Sequence, residues 1–169
     1  MQLSVRPECA ADYEVVADLL STAFGRGEEA EFVSSLRKHA DFDPALSLVA
    51  EDGDGMIVGY VLLFPISHEG KKILALFPVA IMPELQGEGA GNALINEGLA
   101  TARARGYGGV VVLGLESFYP EFGFKSTREW GIFSEISGKH HDRLMALEFE
   151  SKTLKPGVIH FPKEYQHLH

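Results

Sequence analysis

Ile73-Leu74-Ala75-Leu76-Phe77-Pro78-Val79-Ala80-Ile81-Met82 runs without a charged side chain into Pro83-Glu84-Leu85-Gln86-Gly87-Glu88-Gly89-Ala90-Gly91-Asn92. The first ten residues read as a strand buried on both faces. Pro78 and Pro83 cannot donate ladder hydrogen bonds, so regular pairing is expected to be interrupted there. Downstream, Ala93, Leu94, Leu99 and Ala102 recur at helical spacing until Arg105 and Gly106 supply a basic last turn and a stop. Val110 to Leu113 is then a short apolar strand. Strand, glycine turn, helix and strand form a βαβ unit, which implies one parallel pair.

Upstream of this unit, Leu3 and Val5 suggest a short strand, and Asp12 is placed to cap a helix whose inner face carries Val15, Val16, Leu19, Leu20 and Phe24. Gly25 and Gly27 break that helix. A second helix, residues 28–38, turns Ala30, Phe32, Val33 and Leu36 inward and has acidic residues at its start, where the helix dipole favours them. Residues 46–50 and 57–64 read as a hairpin around Asp52-Gly53-Asp54-Gly55, with residues 73–82 as the next antiparallel neighbour. Residues 124–149 read as further strands around a charged excursion at 138–143, with 144–149 as a closing strand. Residues 151–169 read as a tail packed on the rest through Val158, Ile159, Phe161 and Tyr165. The fold class is α+β, one domain over residues 1–169 with its core at about 3–150.

The chain has 169 residues, 46% of them apolar, enough to bury roughly two-thirds of its unfolded surface in one core. A formal charge of −9 leaves no basic stripe for a phosphate backbone, so nucleic acid is not expected as a partner. The same field favours cationic partners such as amines. One cysteine, Cys9, permits neither an internal disulfide nor a cysteine-rich metal site, and a reducing cytoplasm is the simpler setting. No run of about eighteen apolar residues suggests a membrane span. The seven histidines lack helical ligand spacing, so no metal is expected. For assembly, a homodimer is the commonest default.

The glycine turn carries the chemistry. Backbone N–H groups at a helix N-terminus bind anions, and glycines let a pyrophosphate approach. Neither the P-loop nor the G-x-G-x-x-G pattern fits, because no G-K-[ST] is present and Asn92 and Leu94 occupy the positions of the last glycine. A tight turn that merely permits close packing is the alternative reading of the same glycines.

Gln86, Gly89 and Gly91 match Q/R-x-x-G-x-G/A, and the stretch 79–91 resembles the acetyl-coenzyme A signature of the GNAT superfamily of N-acetyltransferases. The resemblance spans about residues 3–150 and includes the later Phe122-Gly123-Phe124; it is nearest a branch of small bacterial acetyltransferases. It implies a mixed, mostly antiparallel sheet whose central parallel pair splays to hold the cofactor. It also implies transfer of an acetyl group from acetyl-coenzyme A directly to a primary amine, small or on a protein, in a ternary complex. Val79, Ala80 and Ile81 would offer backbone partners to the pantetheine arm. Gln86, Gly87, Glu88, Gly89, Ala90, Gly91 and Asn92 would hold the pyrophosphate. Tyr119, four residues before Gly123, stands where the family often carries its general acid. Ser117 stands near a position where many members turn an asparagine toward the cofactor. Members of the nearest branch often read L-G-D/H-P-x-Y-Y, whereas this chain has Leu113-Gly114-Leu115-Glu116-Ser117-Phe118-Tyr119. Glu116 is the candidate base, with water as an alternative. Glu28 and Glu29 at the second helix, and His68 in the turn after Phe64, are candidates for the acceptor mouth. A non-catalytic coenzyme A sensor, or use of another acyl donor, fits the same motif.

Overall fold

Alternating apolar residues and glycine stops resolve into nine strands and three α-helices in the computed structural model, which describes residues 2–113, 117–134 and 143–168. In chain order they are β1 (Ser4–Pro7), α1 (Tyr13–Phe24), α2 (Glu28–Arg37), β2 (Ser47–Glu51), β3 (Ile57–His68), β4 (Lys71–Ile81), α3 (Ala90–Ala104), β5 (Gly109–Leu113), β6 (Lys125–Ser126), β7 (Ile132–Ser134), β8 (Leu144–Glu148) and β9 (Gly157–Ile159). The main sheet has the order β1-β2-β3-β4-β5-β8-β6, antiparallel throughout except for β4 and β5. Strands β7 and β9 form a separate parallel pair.

Both faces of the main sheet are covered, so its central strands alternate between two cores. Tyr60, Leu62 and Phe64 of β3 pack toward α1 and α2, against Val16, Leu20, Phe32, Val33 and Leu36. Val61 and Leu63 point the other way, toward Leu94, Ile95, Leu99 and Ala102 of α3. Val15 departs from the expected inner face and is 46% exposed; one residue from Val16, it lies about 100° round the helix.

Asp12 sits at the α1 N-terminus but its carboxylate does not cap that helix. It accepts the Cys9 amide at 2.8 Å and Arg6 Nη1 at 2.7 Å, and Arg6 also meets Glu51 across the β1–β2 edge. The Arg6 hydrogen bonds hold the Asp12 carboxyl well below the usual carboxylate range.

The β2–β3 hairpin follows the expected turn, with Asp52 accepting the amides of Asp54 and Met56 at 2.9 and 3.0 Å. The β3–β4 hairpin is longer than the sequence suggested, because the turn is two residues, Glu69 and Gly70, both at positive φ (49° and 78°). Glu-Gly lacks the Asn-Gly or Asp-Gly signature of such turns. His68 is therefore the last residue of β3 and not part of a loop.

Ile159 is fully buried, Val158 is 42% exposed, and the Tyr165 ring meets Phe32 edge-on at 4.8 Å. Trp130 packs against the α1/α2-side core. The excursion at 138–142 lies outside the described residues.

Candidate active site

The site begins where the central parallel pair stops. Strands β4 and β5 are in register only at Leu74↔Val110 and Ala75↔Val111. Past Ala75, β4 stays with β3, while β5 runs on with β8 to Leu113↔Leu144. The parting coincides with an irregularity in β4: Val61 faces Val79 and Leu63 faces Leu76, so Phe77 and Pro78 oppose the single residue Leu62. Two residues against one make a β-bulge, which bends the strand away from its neighbour. Pro78 lacks the N–H that would have continued a regular ladder. Pro83 interrupts differently, by opening a 3-10 turn, Pro83–Leu85, after β4 has ended.

Between the parted strands lies a cleft of about 890 Å³. It brings together Val79, Ile81, Gln86, Gly87, Gly89, Gly91, Asn92 and Tyr119 from widely separated parts of the sequence. At its α3 end lies the glycine turn. Gly87 and Gly89 have φ of +87° and +93°, a region that only glycine enters without strain. At both positions a Cβ would meet nothing within 4 Å, so the outer side of the turn is open. Gly89 is the N-cap of α3 and no side chain caps that helix. The first amides of α3 are thus presented at the positive end of the helix dipole. A Cβ at Gly91 would lie 3.7 Å from Phe118, which brings the turn against the aromatic segment.

Tyr119 enters from the other wall, on a 3-10 turn, Tyr119–Phe122, ended by Gly123 at φ +98°. It is 8% exposed and packs edge-on to Phe118 at 5.0 Å and Phe124 at 5.5 Å. Burial pushes its phenol up to about 12. Burial also raises Tyr107 to about 12 and Tyr60 and Tyr165 well above the ordinary phenol range. These phenols bind their protons more tightly folded than unfolded. Their contribution to stability is therefore complete below about pH 10 and falls above it, that of Tyr119 and Tyr107 being lost as pH rises through about 12. Thermal melts should show Tm falling over that interval; a Tm that climbs there contradicts the assignment.

The other residues singled out from the sequence lie elsewhere or contribute backbone alone. Ala80 is buried opposite Tyr60. Glu88 belongs to the turn and Ala90 opens α3, neither lining the cleft, and Ser117 is exposed outside the lining. Glu116 lies outside the described residues. Glu29 is 1% exposed and gripped by Arg26 at 3.0 Å (Nε) and 2.5 Å (Nη2), while Glu28 is 3.1 Å from the same guanidinium. His68 is buried, with Nε2 2.6 Å from the Lys155 carbonyl oxygen. These three do not line the cleft; they hold the α2 start and the tail in place. The remaining wall is residues the sequence did not single out: Phe24 at the end of α1, Leu76 before the bulge and Phe77 within it, Leu113, Phe118, Glu121 and Arg143. Phe24 next to Gly25, and Phe77 next to Pro78, were the only local signs of them.

A family model described as the acetyltransferase (GNAT) family matches residues 13–124. The chain belongs to the GNAT acetyltransferases. This N-acetyltransferase is 33% identical over 123 residues to the uncharacterized N-acetyltransferase YhbS of Escherichia coli K12, covering 72% of each chain. It is 35% identical over 119 residues to the uncharacterized N-acetyltransferase YjhQ of the same strain, covering 68% of this chain and 65% of that one. Among solved structures, YhbS in complex with CoA superposes with a TM-score of 0.91 at 25% identity, covering all of this chain and 94% of that one. A GNAT acetyltransferase from Brucella melitensis in complex with acetyl-CoA superposes at 0.79 and 29% identity, covering 97% and 98%. The mostly antiparallel sheet with its one parallel pair is thus the GNAT fold. Among the described residues, no helix of this acetyltransferase is long and apolar enough to cross a membrane.

Proposed function

We propose that this acetyltransferase takes acetyl-coenzyme A as its donor in the cleft between β4 and β5 and transfers the acetyl group directly to a primary amine in a ternary complex. The observation that carries this reading is the open glycine turn at the head of α3, facing the same cleft as a buried phenol. Gly87, Gly89, Gly91 and Asn92 would surround the pyrophosphate with backbone amides. On the side of β4 that β5 has left, residues 79–81 present a strand edge to which the pantetheine amides can bond as a neighbouring strand would. Tyr119 would donate a hydrogen bond to the sulfur as the carbon–sulfur bond breaks. The neutral amine nitrogen forms the new bond to the acetyl carbon and sheds a proton, which balances the one gained by the thiol. The chain would act as one domain in the cytoplasm, with residues 151–169 an integral part of it. The sensor alternative is less well served, since binding alone gives a buried phenol in the cleft nothing to do.

Initial rates with both substrates varied, followed by thiol release, test the proposal. Direct transfer predicts intersecting double-reciprocal lines and no acetylated enzyme in acetyl-coenzyme A alone. Parallel lines with a stable acetyl-enzyme would overturn it.

A further inference from the structure

The cleft passes through the sheet and does not simply indent one face. Val79, Ile81, Phe118 and Tyr119 belong with the α3-side core, whereas Phe24 and Phe77 belong with the α1/α2-side core, yet all line the same space. On the α1/α2 side Phe24 and Phe77 meet edge-on at 5.9 Å. Leu113 stands on that side too: Val111 packs into the α1/α2 core, and two residues along a strand return to the same face. Leu113 is 48% exposed, an unusual position for a central-sheet leucine, and it faces the cleft. The side opposite the glycine turn is therefore a three-residue apolar mouth.

Charge adds little to it. Among the described residues, the charged side chains lining the cleft are Glu121 and Arg143, of opposite sign. Glu28 and Glu29, which would have suited a polycation, are turned onto Arg26. An apolar mouth also does part of the work of a base. An ammonium entering it loses hydration, so its pKa falls and the neutral, nucleophilic amine is favoured.

We infer that the acceptor is a primary amine on an apolar body, aryl or unbranched alkyl, seated between Phe24, Phe77 and Leu113, and not a polyamine. The inference rests on the acetyl-transfer reading above. It is tested by kcat/KM at equal free-amine concentration for ethylamine, n-butylamine, n-hexylamine, 2-phenylethylamine and 1,4-diaminobutane, followed by thiol release. Efficiency should rise up to about fourfold per methylene along the alkyl series, and 2-phenylethylamine should exceed 1,4-diaminobutane by roughly tenfold or more. Leu113→Asp, at an exposed position, should shrink that ratio by roughly tenfold while calorimetry shows acetyl-coenzyme A affinity unchanged. Phe24→Ala, at a helix end, should shrink it in the same direction. Turnover with a flat series, a preference for 1,4-diaminobutane, or a ratio indifferent to both substitutions would overturn the inference and leave acetyl transfer standing. Binding of acetyl-coenzyme A without thiol release for any amine would overturn both.

Discussion

Tyr119→Phe should lower kcat by roughly 10²- to 10⁴-fold, the usual worth of a positioned proton donor, with the Kd for acetyl-coenzyme A unchanged. The substitution removes one oxygen and leaves the ring contacts to Phe118 and Phe124 in place. Raised to about 12, the phenol remains protonated across the working pH range. An ordinary thiol, at about 8.5, is the stronger acid by roughly three units, so complete proton transfer from Tyr119 to the thiolate is uphill. Its contribution is therefore a hydrogen bond that strengthens as charge gathers on sulfur, with the net proton coming from the amine. The pH profile separates this role from titration of the phenol: loss of activity caused by Tyr119 ionising should appear only near pH 12. A Tyr119→Phe enzyme turning over at the wild-type rate removes the role.

Arg37→Ala should cost roughly 3–5 kcal/mol of stability, the penalty for leaving one partner of a buried ion pair alone, or roughly 6–20 °C in Tm for a chain of this size. The Glu8 side chain is 3% exposed and the Arg37 side chain 11%. Arg37 meets both carboxylate oxygens, Nε at 3.0 Å and Nη2 at 2.8 Å. Ser47 donates to the same carboxylate and lies 2.7 Å from the Tyr60 hydroxyl, so the end of β1, α2, β2 and β3 share one polar cluster inside the apolar core. Burial alone would push the Arg37 guanidinium down; the hydrogen bonds and charge of Glu8 reverse this and leave it raised. Replacing both partners, as in Glu8→Gln with Arg37→Met, should recover much of the loss. Denaturant melts of the two variants measure it, and a single substitution no more harmful than the double refutes the pairing.

The frame of the fold was legible because its signals are local. Unbroken apolar runs mark β3 and β4, Asp52 and its glycines mark one hairpin, and the alternate glycines mark the start of α3. Tyr119 drew notice only through the family resemblance, by its place four residues before Gly123, and it lines the cleft. What escaped depended on distance in sequence. Nothing near His68 announces that Lys155 will bring it a carbonyl oxygen, and Glu29 looks like an ordinary helix-start acid until Arg26 folds onto it. Phe24 and Phe77 are 53 residues apart in the chain and read separately as core; only the bulge in β4 leaves them facing open space. The antiparallel pairing of β3 with β4 was legible, but their extension to a two-residue turn escaped because Glu69 adopts a left-handed conformation for which its type gives no warning.

The two rungs that join β4 to β5 leave the main sheet as two blocks, β1 to β4 on one side and β5, β8 and β6 on the other, with α3 as the covalent strap between them. A donor lying along the free edge of β4 and under the head of α3 would act as a suture, completing a seam that the chain itself leaves half sewn. Donor affinity and the rigidity of the whole sheet would then be two readings of one equilibrium, and the empty enzyme would be the looser of its two forms.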